Sequence, residues 1–173
     1  MIKVAVLFAD GTEEIEGISP VDVLRRAGAE CDIVSVGGEY IQGSHGITIK
    51  ADKLIKDIDI NSYDAVVIPG GMPGATNIAK CEKTIEMIKH IISKGKLVAA
   101  ICASPAVVLA QNDLLLATSA TCFNADCFTS QLGKKYTGKD VEISDNFITA
   151  DGPKSALKFS LAIAKYLGLD INF

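Results

Sequence analysis

The sequence predicts an α/β fold built on a mainly parallel sheet covered on both faces. Three observations carry this. Continuous apolar runs recur at residues 4–8, 65–68 and 97–101, the pattern of strands buried on both sides. Stretches with helical spacing alternate with them, as βα units require. Glycine or proline turns close each run.

The elements follow in order. Residues 4–8 form the first strand, and Asp10-Gly11-Thr12 a turn. A helix follows, with Ile15, Ile18, Val21 and Leu24 spaced as its apolar side, ending before Gly28. Pro20 lies inside it and leaves the Glu16 carbonyl without an amide, so a kink is expected, with Glu16 on a distorted first turn. Residues 31–36 are the second strand. Two glycine turns then frame a small hairpin of residues 40–42 and 47–49. After the strand at 65–68, Pro69-Gly70-Gly71-Met72-Pro73-Gly74 makes a loop. Residues 82–94 form a helix with Ile85, Ile88, Ile91 and Ile92 on one side and Gly95 as its stop. Residues 117–121 read as a short strand, 125–132 as a short helix, and 141–144 with 147–150 as a hairpin around Asp145-Asn146. The last helix runs from Pro153 to Leu167.

Bulk properties narrow the function. A chain of 173 residues is long enough for one domain, 1–173, with a proper core. The net charge of −4, with no basic cluster, argues against nucleic acid. No apolar stretch reaches the ~18 residues of a membrane helix, and no membrane partner is expected. Residues 1–8 read directly into a strand, so no signal peptide is expected. Five cysteines, odd in number and without metal-like spacing, indicate free thiols in a reducing cytoplasm and no metal site.

The chemistry centres on residues 96–110. The apolar strand turns at Cys102 and continues as a helix led by Ser104-Pro105, with Ser104 placed to cap and Pro105 at the first helical position. This is a nucleophile elbow with sulfur in place of serine oxygen. Amides and the helix dipole there favour an anion, so the thiol is expected to ionise more easily. Cys102 reads as a nucleophile or an oxidation sensor, against the alternative of a small buried hydrophobe.

In such sheets ligands gather beyond the carboxyl ends of the strands. That rule brings Glu16, the Gly70-Gly71 amides and Cys102 towards one place. Glu13 and Glu14 read as partners of the helix dipole. Glu16, in a shielded pocket beside Cys102, would have its pKa raised and become an acid that donates to a thiolate or carries protons. Gly70-Gly71 reads either as a pair of oxyanion donors or as a plain turn, and it is no nucleotide fingerprint. His90 is expected in solvent. His45, in the hairpin, reaches a site only through folding or from another subunit.

The segments Glu13-Glu14-Ile15-Glu16, residues 20–28, Pro69-Gly70-Gly71, Ala100-Ile101-Cys102-Ala103 and Asp151-Gly152-Pro153 resemble the ThiJ/PfpI superfamily. Within it they are most similar to the parkinsonism-associated deglycase branch, of DJ-one-like type. The resemblance implies a flavodoxin-like three-layer sandwich and a homodimer with its site near the interface. It also implies a reactive Cys102, a protonated Glu16 hydrogen-bonded to it, and an oxyanion pocket lined by the amides of Gly70, Gly71 and Ala103. Cys122 stands where the animal branch has a histidine, and His45 where many relatives carry an arginine reaching across the dimer. The second departure weakens an anion clamp and opens a pH-sensitive contribution from the partner.

The expected function is cofactor-free stress protection: a glyoxalase or protein deglycase acting on methylglyoxal or early glycation adducts. Cys102 would form a hemithioacetal and Glu16 would carry the proton. The alternative is an oxidative-stress sensor or redox-regulated chaperone in which Cys102 becomes a sulfinate. Amide hydrolysis ranks last, because no base stands next to Cys102.

Overall fold

The computed structural model describes residues 1–173. Seven strands form one sheet: β1 (Lys3–Phe8), β2 (Glu30–Ser35), β5 (Lys53–Leu54), β6 (Ala65–Ile68), β7 (Leu97–Ile101), β8 (Val141–Ser144) and β9 (Phe147–Ala150). Their order is β5-β2-β1-β6-β7-β9-β8, and every neighbouring pair is parallel except β8 with β9. The remaining two, β3 (Tyr40–Gln42) and β4 (Thr48–Lys50), make the separate hairpin.

Alternation along each strand feeds two cores. Val4, Val6 and Phe8 of β1 join Val67, Ala99 and Ile101 under α1 (Glu14–Arg26) and α5 (Ala156–Tyr166), with Leu24, Phe159 and Ile163 buried among them. Ala5 and Leu7 join Val66, Ile68, Val98 and Ala100 on the opposite face. There α2 (Gly74–Lys80), α3 (Glu82–Ser93), residues 105–112 and α4 (Asp126–Leu132) cover them, with Met87, Ile88 and Ile91 inside. The result is a flavodoxin-like sandwich of helices, sheet and helices.

Several expectations need correcting. On α1, Val21 and Leu24 are buried, but Ile15 and Ile18 are exposed. At 3.6 residues per turn, each step of three falls back by about 60°, so a four-member series ends on the opposite side from where it began. Ser104 does not cap; its hydroxyl donates to the Pro69 carbonyl at 2.6 Å, and the turn after it is π-wound over Pro105–Leu109. Residues 117–121 form no strand, only an isolated bridge between Ala120 and Tyr136. Strand β9 is already paired on both sides, by β7 and β8. The amides of Thr118 and Thr121 go instead to the hydroxyls of Ser144 and Thr149. Helix α2 starts at the last residue of the Pro69–Gly74 loop and occupies residues to which the sequence assigns no element.

Candidate active site

Three adjacent strands, β1, β6 and β7, end side by side, and their exit loops build the site. From β1 the chain leaves for β2 on one side, while β6 lies on the other, so the site sits beside the reversal of strand order. The β1 exit is held by the Thr12 hydroxyl, which accepts from the Ala9 amide at 3.0 Å. Glu13 then caps α1 by accepting from the Glu16 amide at 2.8 Å. Glu16 is thereby fixed in the first turn of α1, fully buried and pointed back at the loop after β6.

Cys102 sits directly after β7 at φ +64°, a left-handed conformation uncommon for a residue with a side chain. Its amide donates to the Ala150 carbonyl, and its carbonyl accepts from the Phe123 amide, both at 2.9 Å. The strained conformation is thus held from both ends, as expected where a structure forces a side chain out of a sheet's rim. The thiol is half-buried.

The β6 exit closes the site. The Gly70 amide donates to Glu16 Oε2 at 2.8 Å, and the Gly70 carbonyl accepts from the Glu13 amide at 3.0 Å. A Cβ on Gly70 would come within 2.6 Å of both Cys102 Cβ and Glu16 Oε2, so only glycine allows the acid and the thiol to meet across this peptide. Gly70 was expected among the oxyanion donors; its amide is occupied by Glu16 instead. The amides that act on the Cys102 sulfur are those of Gly71 and Ala103.

The electrostatics follow from this packing. Burial raises the Glu16 carboxyl to about 7, opposed by hydrogen bonding to Cys102 and Gly70 and reinforced by the charges of Glu13 and Asp151. Glu16 Oε1 is buried without a hydrogen-bond partner, which disfavours a charge on the carboxyl. Burial, followed by the Glu16 charge, pushes the Cys102 thiol up to about 12, against the pull of the Gly71 and Ala103 amides. The expectation of an easily ionised thiol therefore fails while Glu16 is ionised. Protonating Glu16 removes that repulsion, so acid and thiol titrate as a pair that holds one proton between them near neutrality.

The other candidates lie elsewhere. His45 is tied within its own chain to the start of α1, with Nδ1 3.1 Å from Glu14 Oε2 and 3.7 Å from Glu13 Oε1. Glu13, Glu14 and His45 bring three potential metal ligands within 4.8 Å of one another. Their lone pairs are largely taken, by the amides of Glu16, His45 and Ile47 and the Ser44 hydroxyl. They act as a clamp between hairpin and helix. Cys122 is fully buried, its thiol is raised to about 11 mainly by burial, and it donates to the Phe123 carbonyl at 3.5 Å.

Two further residues gain a role only in the fold: Phe123 donates its amide to the Cys102 carbonyl, Asp151 follows Ala150, which accepts from the Cys102 amide, and both line one cleft. Only the chain's return to Cys102 from two distant segments reveals them.

The chain matches the DJ-1/PfpI family over residues 2–166 and belongs to it. It is 35% identical over 163 residues to the glutathione-independent glyoxalase DJR-1.2 of Caenorhabditis elegans, covering 94% of this chain and 86% of that one. The protein DJ-1 homolog B of Arabidopsis thaliana is 37% identical over 164 residues, which is 94% of this chain but 37% of the plant protein. The chain thus spans less than half the length of that plant relative. Among solved structures, oxidized Toxoplasma gondii DJ-1 superposes with a TM-score of 0.92 at 41% identity, covering 96% of this chain and 91% of the other.

Proposed function

We propose that this DJ-1/PfpI family member is a cofactor-free glyoxalase or deglycase that attacks methylglyoxal or its early adducts through Cys102. The observation that carries the reading is the buried Glu16, oriented by the Gly70 amide and brought up to Cys102 across Gly70, where an added Cβ would meet both residues. As sulfur adds to the aldehyde carbon, the thiol proton passes to the Glu16 carboxylate and then to the former carbonyl oxygen, giving a neutral hemithioacetal. Moving the carbon-bound proton to the adjacent ketone carbon, and the hydroxyl proton to the ketone oxygen, yields a lactoyl thioester. Water then releases lactate and restores the thiol. The amides of Gly71 and Ala103 face the anionic sulfur and its oxyanion. The similarity to a glutathione-independent glyoxalase supports the same reading.

The test is methylglyoxal consumption with lactate release by wild type, Cys102→Ser and Glu16→Gln. Wild type turns over, Cys102→Ser is inactive and Glu16→Gln is severely impaired. Equal rates in all three overturn the proposal.

A second reading is supported by the setting of Cys102: Cys81 is as accessible and Cys127 more so, but Cys102 stands at a left-handed elbow beside the buried Glu16. Mild peroxide would convert Cys102 to a sulfinate held by Glu16 and the two amides. Mass spectrometry then finds two added oxygens on Cys102; their appearance equally on Cys127, the exposed thiol, sinks this reading. We also infer a homodimer. Ile15 and Ile18 on α1 and Ile47 in the hairpin are exposed beside the site, an apolar face that a second copy would cover.

A further inference from the structure

We propose that the cleft beside Cys102 is a cation subsite, which makes guanidinium-bearing adducts the preferred substrates over neutral ones. The inference rests on the deglycase reading above and names its substrate class.

The cleft holds about 310 Å³ between Phe123, Asn124, Asp151, Gly152, Pro153 and Lys154. That is far more than free methylglyoxal needs, and room for the side chain that carries an adduct. Both walls are fastened to the elbow itself. The Phe123 amide donates to the Cys102 carbonyl, and the Cys102 amide donates to the carbonyl of Ala150, the residue before Asp151. A ligand group in the cleft therefore lies beside the backbone that carries the reacting sulfur, and Asp151 is near enough for its charge to act on Glu16.

The chemistry of the walls selects charge. The Phe123 ring is 44% exposed, and it lies against Gly152, where an added Cβ would meet its edge carbon at 3.4 Å. One side of the ring is thus supported by backbone and the ring remains open to a ligand. Asp151 is mostly covered, with Oδ1 held by the Ser155 hydroxyl at 2.5 Å and Oδ2 by Lys154 Nζ at 3.1 Å. Its carboxylate is rigid, while its cation is not: the Lys154 side chain is 75% exposed and also lies 3.8 Å from Asp140. An exposed lysine pair of this kind is weak and can be displaced. A planar guanidinium meets a carboxylate with two parallel bonds and stacks on an aromatic ring, which an ammonium does not match. The early adduct of an aldehyde with arginine keeps this group; the adduct with cysteine has no charge.

The experiment compares N-acetyl-arginine amide with N-acetyl-citrulline amide, a neutral near-isostere, as ligands of the full chain, followed by NMR titration. Wild type should bind the arginine compound at least about tenfold more tightly. Asp151→Asn should reduce that ratio to about threefold or less, and Phe123→Leu should lower it without removing a charge. Equal affinities in wild type, or a ratio unmoved by Asp151→Asn, overturn the proposal. In parallel, the kcat/KM ratio for arginine-derived over cysteine-derived methylglyoxal adducts should fall in Asp151→Asn. Arginine preference without turnover of methylglyoxal or any adduct leaves the cation cleft standing and removes the enzymatic reading. Turnover without arginine preference does the reverse.

Discussion

Two glutamates of the same helical turn, Glu14 and Glu16, are both buried and yet are held in opposite ways. Burial works against the charge on Glu14, but the backbone amides of His45 and Ile47 and the His45 ring outweigh it and hold the carboxyl down at about 2. Glu16 receives a single backbone amide, from Gly70, and burial carries it up to about 7. Glu16 also lies much deeper in the protein than Glu14, so depth of burial and the number of donors aimed at the oxygens decide protonation together. The two carboxyls accordingly divide the work. Glu14 clamps the β3–β4 hairpin to the start of α1, and Glu16, two residues on, is free to exchange a proton.

Changing each carboxyl to its amide is the strongest way to sharpen this contrast. Glu16→Gln should lower kcat/KM for methylglyoxal by at least about a hundredfold, the usual contribution of a positioned proton carrier. In wild type, kcat/KM should rise with pH through about 7, as the pair loses its first proton and the one-proton form appears. That inflection should vanish in Glu16→Gln and stay near 7 in Glu14→Gln. A pH–rate profile that keeps the inflection in Glu16→Gln assigns the titration to another group and removes Glu16 from the chemistry.

Stability reverses the ranking. Glu14→Ala strips the acceptors from the amides of His45 and Ile47, part-buried bonds in an exposed hairpin that are worth about 0.5–1.5 kcal/mol each. A total near 2 kcal/mol corresponds to a fall in Tm of about 4–8 °C for a chain of this length. The pH dependences should also oppose each other. Glu14 drops from 4.5 to about 2 on folding, so its contribution is complete above 4.5 and disappears as pH falls towards 2. Glu16 rises from 4.5 to about 7, so its contribution is complete below 4.5 and disappears as pH climbs through 7. Urea midpoints against pH check both signs. Glu14→Gln should flatten the acid side and Glu16→Gln the side between 4.5 and 7. Identical curves for the two variants would show that neither carboxyl is linked to folding as described.

The same contrast marks how far the sequence could be read. Strands β1, β6 and β7 are plain in it because burial on both faces writes an uninterrupted apolar run. The elbow is plain because a strand that ends in Cys102 and resumes as Ser104-Pro105 has few other ways to fold. The facing of α1 is not plain, because a spacing of three drifts around a helix and leaves Ile15 outside. Nor do residues 13–16 reveal which acid is clamped, since the donors to Glu14 come from His45 and Ile47, about thirty positions away. Gly70 is a similar case. Its amide has two possible recipients, an oxyanion or Glu16, and the close approach of the β1 and β6 exits decides between them. Phe123 carries no local signal, and Asp151 only its place in the Asp151-Gly152-Pro153 segment. They matter because their segments return to the two ends of the Cys102 peptide.

The smallest expected effect separates the two kinds of donor that hold Glu14. His45 contributes a backbone amide at 2.7 Å and a ring nitrogen at 3.1 Å. The amide is fixed by the hairpin, whereas the ring belongs to a side chain that is 72% exposed. An exposed ion pair of this kind is worth at most about 1 kcal/mol and is screened by salt. His45→Asn keeps the amide and removes the ring, so Tm should fall by less than about 3 °C, and by less again in high salt. Methylglyoxal turnover should keep its inflection near 7, because the ring engages Glu14 and not Cys102. If His45→Asn instead lowers Tm as far as Glu14→Ala does, the imidazole and not the hairpin backbone holds the carboxylate. The clamp would then be a side-chain device open to titration, and the division of labour between the two glutamates would have to be redrawn around His45.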